Sequence, residues 1–257
     1  MPAVAVLASG AGATQALRRS LPVRSPWTVA ACRTVAQLAA LFRGRLVDAV
    51  IISPSAMALP ELAVLRGGFP HVPWIAFAPF RPDDGQLLVR LAQGETRLVL
   101  VDGVDNAVAG DLVVRHSAAA ARQRALRDAV RVLRLTEPLQ RQVWEALLAR
   151  VDQPVRTAEI AKSLGCSREH LSRQFGAGGA PNLKRVIDLT RVACAAALLE
   201  NPGYDVATVA RILRFATPSH LAATARRIAG VSSRELGPLG PRGVLANFAR
   251  GKTRSRL

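Results

Sequence analysis

The chain is poor in cysteine and histidine, and each shortage closes off a class of function. Its 257 residues include three cysteines, Cys32, Cys166 and Cys194. Their odd number and wide spacing argue against a disulfide framework or a zinc site. Each falls in an apolar pattern and reads as a small buried hydrophobe. The four histidines, His71, His116, His170 and His220, do not pair at metal-ligand spacing, and none has a nucleophile in register. We expect no metal, no cofactor and no enzymatic activity. No apolar run approaches the roughly 18 residues that a membrane-spanning helix needs. The opening MPAVAVLASGAG lacks the basic flank of a secretion signal, and its apolar stretch reads as a strand. The expectation is a cytoplasmic protein with no membrane partner.

Acidic residues are also short. Lys and Arg total 35 against 18 Asp and Glu, a formal net charge of +17. The excess is concentrated. Residues 1–115 carry 11 Arg, no Lys and 8 acids, a net +3, whereas residues 116–257 carry 24 basic and 10 acidic residues, a net +14. A basic half of this kind points to a polyanionic partner, nucleic acid before acidic membrane. The length suits two compact domains.

Through residues 1–115, short apolar runs alternate with helical patterns. The runs are AVAVLA (3–8), WTVAAC (27–32), DAVIIS (48–53), PWIAFA (73–78) and RLVLV (97–101). Each has strand length and is rich in Val, Ile or aromatic residues. Five alternations predict an α/β domain built on a five-stranded, parallel, doubly wound sheet, with ligand space at the strand ends. GAGAT (10–14) lies where a phosphate-binding turn could open a helix. No acidic residue follows about 20 residues on, as a dinucleotide site requires, so a plain tight turn is preferred.

The size and rhythm of residues 1–115 resemble the receiver domain of two-component response regulators. VDAVIISPSAM is similar to that family's third strand and loop, where an Asp accepts phosphate; here Ser53 stands in its place. The family's acidic pair after the first strand is replaced by Ala8, Ser9 and Gly10, and its Thr or Ser near the end of the fourth strand by Ala78. Its Lys after the fifth strand is missing too, because the first Lys of the chain is Lys162. Phosphoryl transfer needs a carboxylate nucleophile, carboxylates for Mg²⁺ and a cation for developing charge. The resemblance therefore implies a non-phosphorylatable pseudo-receiver, used for dimerisation, partner contact or sensing a small molecule of unknown identity.

Residues 116–136 follow as a linker helix of high intrinsic propensity. Ala119, Leu126 and Leu133 recur every seven residues, and Arg122, Arg124, Arg127, Arg131 and Arg134 make the other faces basic. The pattern suits a linker packed on one domain or a short dimer-forming helix pair, and fewer than three heptads leave both open.

Residues 137–236 read as an all-α domain. EPLQRQVWEALLAR (137–150) is an amphipathic helix with Val143 and Leu147 on one side. In RTAEIAKSLGCSREHLSRQF (156–175), two short helical patterns meet at Gly165. A left-handed residue is needed where the first helix ends, and Ser167 can cap the second. Ala161 is small where the helices cross, and Ile160, Leu164, Leu171 and Phe175 supply a shared core. This is the layout of a helix-turn-helix, whose second helix lies in the DNA major groove. The pattern returns in DVATVARILRFATPSHLAATARR (205–227), with a turn one residue longer. Asp205 can cap, Ala210 matches Ala161, Leu213 matches Leu164 and Leu221 matches Leu171. Thr217 followed by Pro218 is a cap and then a residue with no N–H to satisfy. Between the copies, LKRVIDLTRVACAAALLEN (183–201) is a long helix; about 17 helical residues span roughly 26 Å. Such a rod can hold two reading heads about one DNA turn, roughly 34 Å, apart.

These segments, closed by GVSSREL (Gly230 to Leu236), resemble the DNA-binding domain of AraC-family transcription regulators. The resemblance implies two helix-turn-helix heads in adjacent major grooves of double-stranded promoter DNA. It also implies a role as an activator or repressor, a homodimer, and RNA polymerase as a further partner. Carried over position by position, the first reading helix offers Glu169, Ser172 and Arg173 to bases, flanked by Arg168 and Gln174. The second departs from the family pattern: Arg214 replaces the usual turn glycine, and Ala225 takes a place usually held by Phe. Its base-facing sites hold Pro218, Ser219, Ala222 and Ala223, so it is expected to read little sequence. Thr217, Ser219 and His220 at its entry are counted among the DNA-binding residues, and Arg226 and Arg227 are assigned to phosphate. Residues 237–257, with Arg242, Arg250, Lys252, Arg254 and Arg256 among Gly and Pro, are expected to be a basic flexible tail. The competing readings are an enzyme tethered to nucleic acid by its basic half, and a non-enzymatic interaction adaptor with nonspecific DNA affinity.

Overall fold

A computed structural model describes residues 3–8, 11–21, 27–57, 59–80, 84–91, 93, 96, 98–150 and 154–251. Ser9, Gly10, Lys252, Arg254 and Arg256 lie outside the described residues. The chain divides into two compact units, residues 1–121 with 201–203, and residues 122–200 with 204–257.

In the first unit the five apolar runs become β1 (Ala3–Leu7), β2 (Thr28–Cys32), β3 (Val47–Ile52), β4 (Trp74–Ala78) and β5 (Leu98–Val101). All pairs are parallel, in the order β2-β1-β3-β4-β5. The connections carry α1 (Gly12–Ser20), α2 (Val35–Gly44), α3 (Pro54–Met57), α4 (Pro60–Gly68) and α5 (Gly85–Arg90), and α6 (Ala109–His116) follows β5. β1 and β3 are buried at every position. A strand covered on both faces needs apolar residues throughout, hence unbroken runs rather than alternation. Val4, Val6, Ile51, Ile75 and Leu100 pack with Leu17 of α1 and Val113 of α6 in one core. The expected α/β architecture is observed, and the strand order reverses between β1 and β3, where such sheets open a crevice at their carboxyl ends.

The second unit is helical: α7 (Ala118–Ala125, entering from the first unit), α8 (Ala129–Val132), α9 (Pro138–Ala149), α10 (Thr157–Ser163), α11 (Arg168–Phe175), α12 (Leu183–Leu199), α13 (Val206–Ile212), α14 (Pro218–Ala229) and α15 (Leu236–Ala249). α12 is the hub and packs against α9, α13, α14 and α15. Its residues from Val192 to Ala196 are buried on every side, as expected of a helix apolar all round.

Two expectations need correction. The single helix over 116–136 is broken. α6 ends at His116, Ser117 Oγ accepts the Ala120 N–H at 3.1 Å to start α7, and residues 126–128 form a turn before α8. A serine that bonds nearby backbone offers an alternative to continued helix. The segment expected to be a flexible tail instead forms α15 as far as Ala249, packed on α12 and α14. Leu236, Val244, Leu245 and Phe248 are buried there. Its glycines serve packing: Gly237 sits against the Leu199 carbonyl with no room for a Cβ. Gly240 takes φ +64° and kinks the chain ahead of Pro241, a conformation open to glycine at no steric cost.

Candidate nucleic-acid interface

α10–α11 and α13–α14 are built on one turn. The Cys166 N–H donates to the Ala161 carbonyl at 3.0 Å, and the Phe215 N–H to the Ala210 carbonyl at 2.8 Å. One residue before each donor is left-handed, Gly165 at φ +66° and Arg214 at φ +53°. Both turns follow the Schellman pattern, which satisfies a carbonyl left open at a helix end. Ala161 and Ala210 are buried at the crossings. Ser167 Oγ accepts the His170 N–H at 3.1 Å, and Thr217 Oγ1 accepts the His220 N–H at 3.0 Å. The second helix of each pair therefore begins on a side-chain cap.

On α11, Leu171 and Phe175 are wholly buried. Arg168, Glu169, His170, Ser172, Arg173 and Gln174 are all exposed. The expected residues of the first head are thus all open to solvent, spread around α11 on the sides away from Leu171 and Phe175. Its far end is held by a residue that sequence reasoning missed. Gln140 of α9 is fully buried; its Nε2 donates to the Phe175 carbonyl at 2.9 Å, and its Oε1 accepts the Glu137 N–H at 3.1 Å. The signal was Glu137 with Gln140 three residues on, the spacing of a capping box.

On α14, Leu221, Thr224, Ala225, Ile228 and Ala229 face inward, while Pro218, Ser219, His220, Ala223 and Arg226 are exposed, as is Thr217 ahead of the helix. The His220 ring stands edge-on to Phe215, with centroids 5.6 Å apart. Arg227 is already engaged: its Nη2 lies 2.9 Å from Asp188 Oδ2 of α12. Of the two cations expected at phosphate, Arg226 is presented to solvent and Arg227 is held by a carboxylate. Arg191, three residues along α12 from Asp188, is 9% exposed. Its guanidinium stacks 3.9 Å from the Phe215 ring centroid, and its Nη2 donates to the Leu213 carbonyl at 2.7 Å. Burial draws its pKa below the ordinary arginine value, and Asp188 partly opposes that. Asp188 and Arg191 together tie both helices of the second head to α12. Neither was legible as a clamp in the sequence, because their partners lie 22 and 39 residues away.

In the first unit, the Ser53 N–H donates to the Leu7 carbonyl at 3.2 Å, so the carboxyl ends of β1 and β3 are adjacent. Asp102 follows β5 and accepts from Asn106 Nδ2 at 2.9 Å. Among the described residues no group of His, Cys, Asp and Glu gathers as a metal site, and no helix is long and apolar enough to cross a membrane.

Comparison with known proteins bears on this geometry. Residues 160–236 match a protein-family model described as a helix-turn-helix domain, of the AraC type. The match runs from within α10, through α14, to the first residue of α15. No curated protein and no solved structure matches the chain. The second unit therefore carries a DNA-binding domain of the AraC type, the mark of a transcription regulator.

Proposed function

We propose that the protein is a sequence-specific regulator of transcription that grips one face of promoter DNA through two heads in successive major grooves. The observation that carries this reading is the repeated turn at either end of α12. That helix has 17 residues and spans roughly 26 Å, so the reading helices beyond its ends can approach the ~34 Å rise of one DNA turn.

α11 is the head that reads. The fork of Arg173 suits guanine O6 and N7, Glu169 can accept from a cytosine amine, and Ser172 can serve either role. Arg168 and Gln174 flank them. α14 is the head that anchors. Ala222 and Ala223 offer only methyl contact to thymine, Thr217, Ser219 and His220 stand at its entry, and Arg226 meets phosphate. The first unit is assigned a non-enzymatic role in homodimerisation, partner contact or effector sensing. Ser53 cannot serve as a carboxylate phosphoacceptor, and Asp102 stands where a cation would be needed. RNA polymerase is the expected protein partner, and the cytoplasm the expected location.

The poverty of hydrogen-bonding side chains on α14 favours one rival, an adaptor with nonspecific DNA affinity. Selection from a random duplex library with the purified chain separates the two. Enrichment of one sequence supports the regulator, and even recovery of all sequences supports the adaptor.

A further inference from the structure

Among the described residues, two that are not glycine hold a left-handed backbone, and both are exposed arginines of the basic half: Arg134 at φ +54° and Arg214 at φ +53°. An L side chain is disfavoured there, whereas glycine is not. Arg214 occupies the turn that Gly165 occupies in the first head. Arg134 lies outside both heads and before residue 160, where the family match begins. It closes α8, and the next N–H, that of Leu135, donates to the Val130 carbonyl at 2.8 Å. Glycine would make the same turn without the conformational cost. What arginine adds is a guanidinium.

That guanidinium lies at the end of the reading helix. Arg134 Nη1 is 3.5 Å from where a Cβ on Gly179 would stand, and Thr136 Oγ1 is 3.4 Å from the same point on Gly178. Both glycines sit in the single 3-10 turn that follows α11. Gln140 binds the Phe175 carbonyl beside them. Residues 134–140 therefore wrap the carboxyl end of α11. Upstream on the same segment, Arg127 and Arg131 are exposed, interleaved with buried Leu126, Ala129 and Leu133. Among the described residues no carboxylate pairs with Arg127, Arg131 or Arg134.

We propose that Arg127, Arg131 and Arg134 form a further phosphate-binding surface, an arginine shoulder that seats on the DNA backbone where α11 leaves the major groove. The inference rests on the proposed DNA reading by α11. The dimensions agree. α11 has 8 residues, a length of about 12 Å, and the major groove is about 12 Å wide. A helix of that length laid across the groove ends at its phosphate wall. A cation there gains charge-assisted hydrogen bonds and releases a counterion.

The test uses the full chain and a random-sequence duplex, titrated by fluorescence anisotropy over a range of salt concentrations. Arg134→Gly removes the cation and relaxes the left-handed backbone, so the variant keeps or gains thermal stability. The expected result is a log–log salt slope shallower by about 0.9. Arg134→Lys restores the slope, and Arg131→Gln shows a similar loss. An unchanged slope in Arg134→Gly overturns the proposal. A fall in thermal midpoint with no slope change does so too, and makes Arg134 a strut for the 177–179 turn. If the wild type binds every duplex alike, the sequence reading fails while the slope difference still decides the shoulder. A wild type that binds no duplex overturns both.

Discussion

Set side by side, α10–α11 and α13–α14 share a buried alanine at the crossing, a left-handed residue and the same closing hydrogen bond, yet they present different surfaces. The first exposes Arg168, Glu169, Ser172, Arg173 and Gln174 on a short helix. The second exposes Pro218, Ser219, His220, Ala223 and Arg226 on a longer one, and its Arg227 is turned to Asp188. Its inner face is tied down by Arg191 through Phe215 and the Leu213 carbonyl. The shape of a helix-turn-helix rests on a few buried positions and one turn. Its capacity to read DNA rests on different residues, and the two vary independently. On this account the first head supplies specificity and the second supplies grip.

The largest effect that would sharpen the contrast lies in the cores. Phe175 is wholly buried, while its counterpart by position, Ala225, is small and equally buried. Phe175→Ala should cost about 3–5 kcal/mol and Ala225→Gly only about 1 kcal/mol, read from denaturant unfolding. Equal costs would mean that the first head does not depend on its aromatic anchor. Next comes reading. Arg173→Ala should weaken binding to the selected duplex by roughly 1–3 kcal/mol and relax one base position, whereas Ser219→Ala should stay within about 0.5 kcal/mol. A uniform loss on all duplexes would demote Arg173 to a phosphate contact.

The caps of the first helices also differ between the heads: α13 begins on Asp205, whereas α10 begins on Arg156, whose backbone N–H donates to Glu159 Oε2 at 3.3 Å. Asp205 accepts the Thr208 N–H at 2.6 Å. That backbone hydrogen bond, followed by the side-chain one at Thr208, holds its carboxyl below the usual aspartate range. A depressed folded pKa contributes stability that is present above the unfolded value, about 3.9, and is lost as pH falls through the folded value. Ser167 and Thr217 do not titrate. Asp205→Ala should therefore cost about 1 kcal/mol near neutral pH. The stabilities of wild type and variant should begin to converge as pH falls below about 3.9; parallel curves down to the acid limit would refute the assignment. The smallest effect concerns grip. Asp188→Asn should release Arg227 and steepen the salt slope by up to about 0.9. No change would show that Arg227 reaches phosphate even while paired.

Much of this was legible in residue order, for local reasons. The five strands announced themselves as apolar runs because both faces of the sheet are covered. Gly165, Ser167, Asp205 and Thr217 act within three or four residues, so their roles follow from spacing. What escaped depends on distant partners. The Gly and Pro of 237–249 suggested disorder, but Gly237 is glycine so that α15 can approach Leu199, and that contact cannot be seen without the fold. The 116–136 helix was overextended because high propensity outweighed the stop that Ser117 provides. Arg227 looked like any exposed cation until Asp188, 39 residues earlier, proved to face it.

The joint placement of the two heads is most directly tested by hydroxyl-radical footprinting of the full chain on its selected duplex. The account predicts two protected patches on one face of the double helix, centred about 10 bp apart, with sequence preference confined to the patch under α11. A single patch, or two on opposite faces, would contradict it.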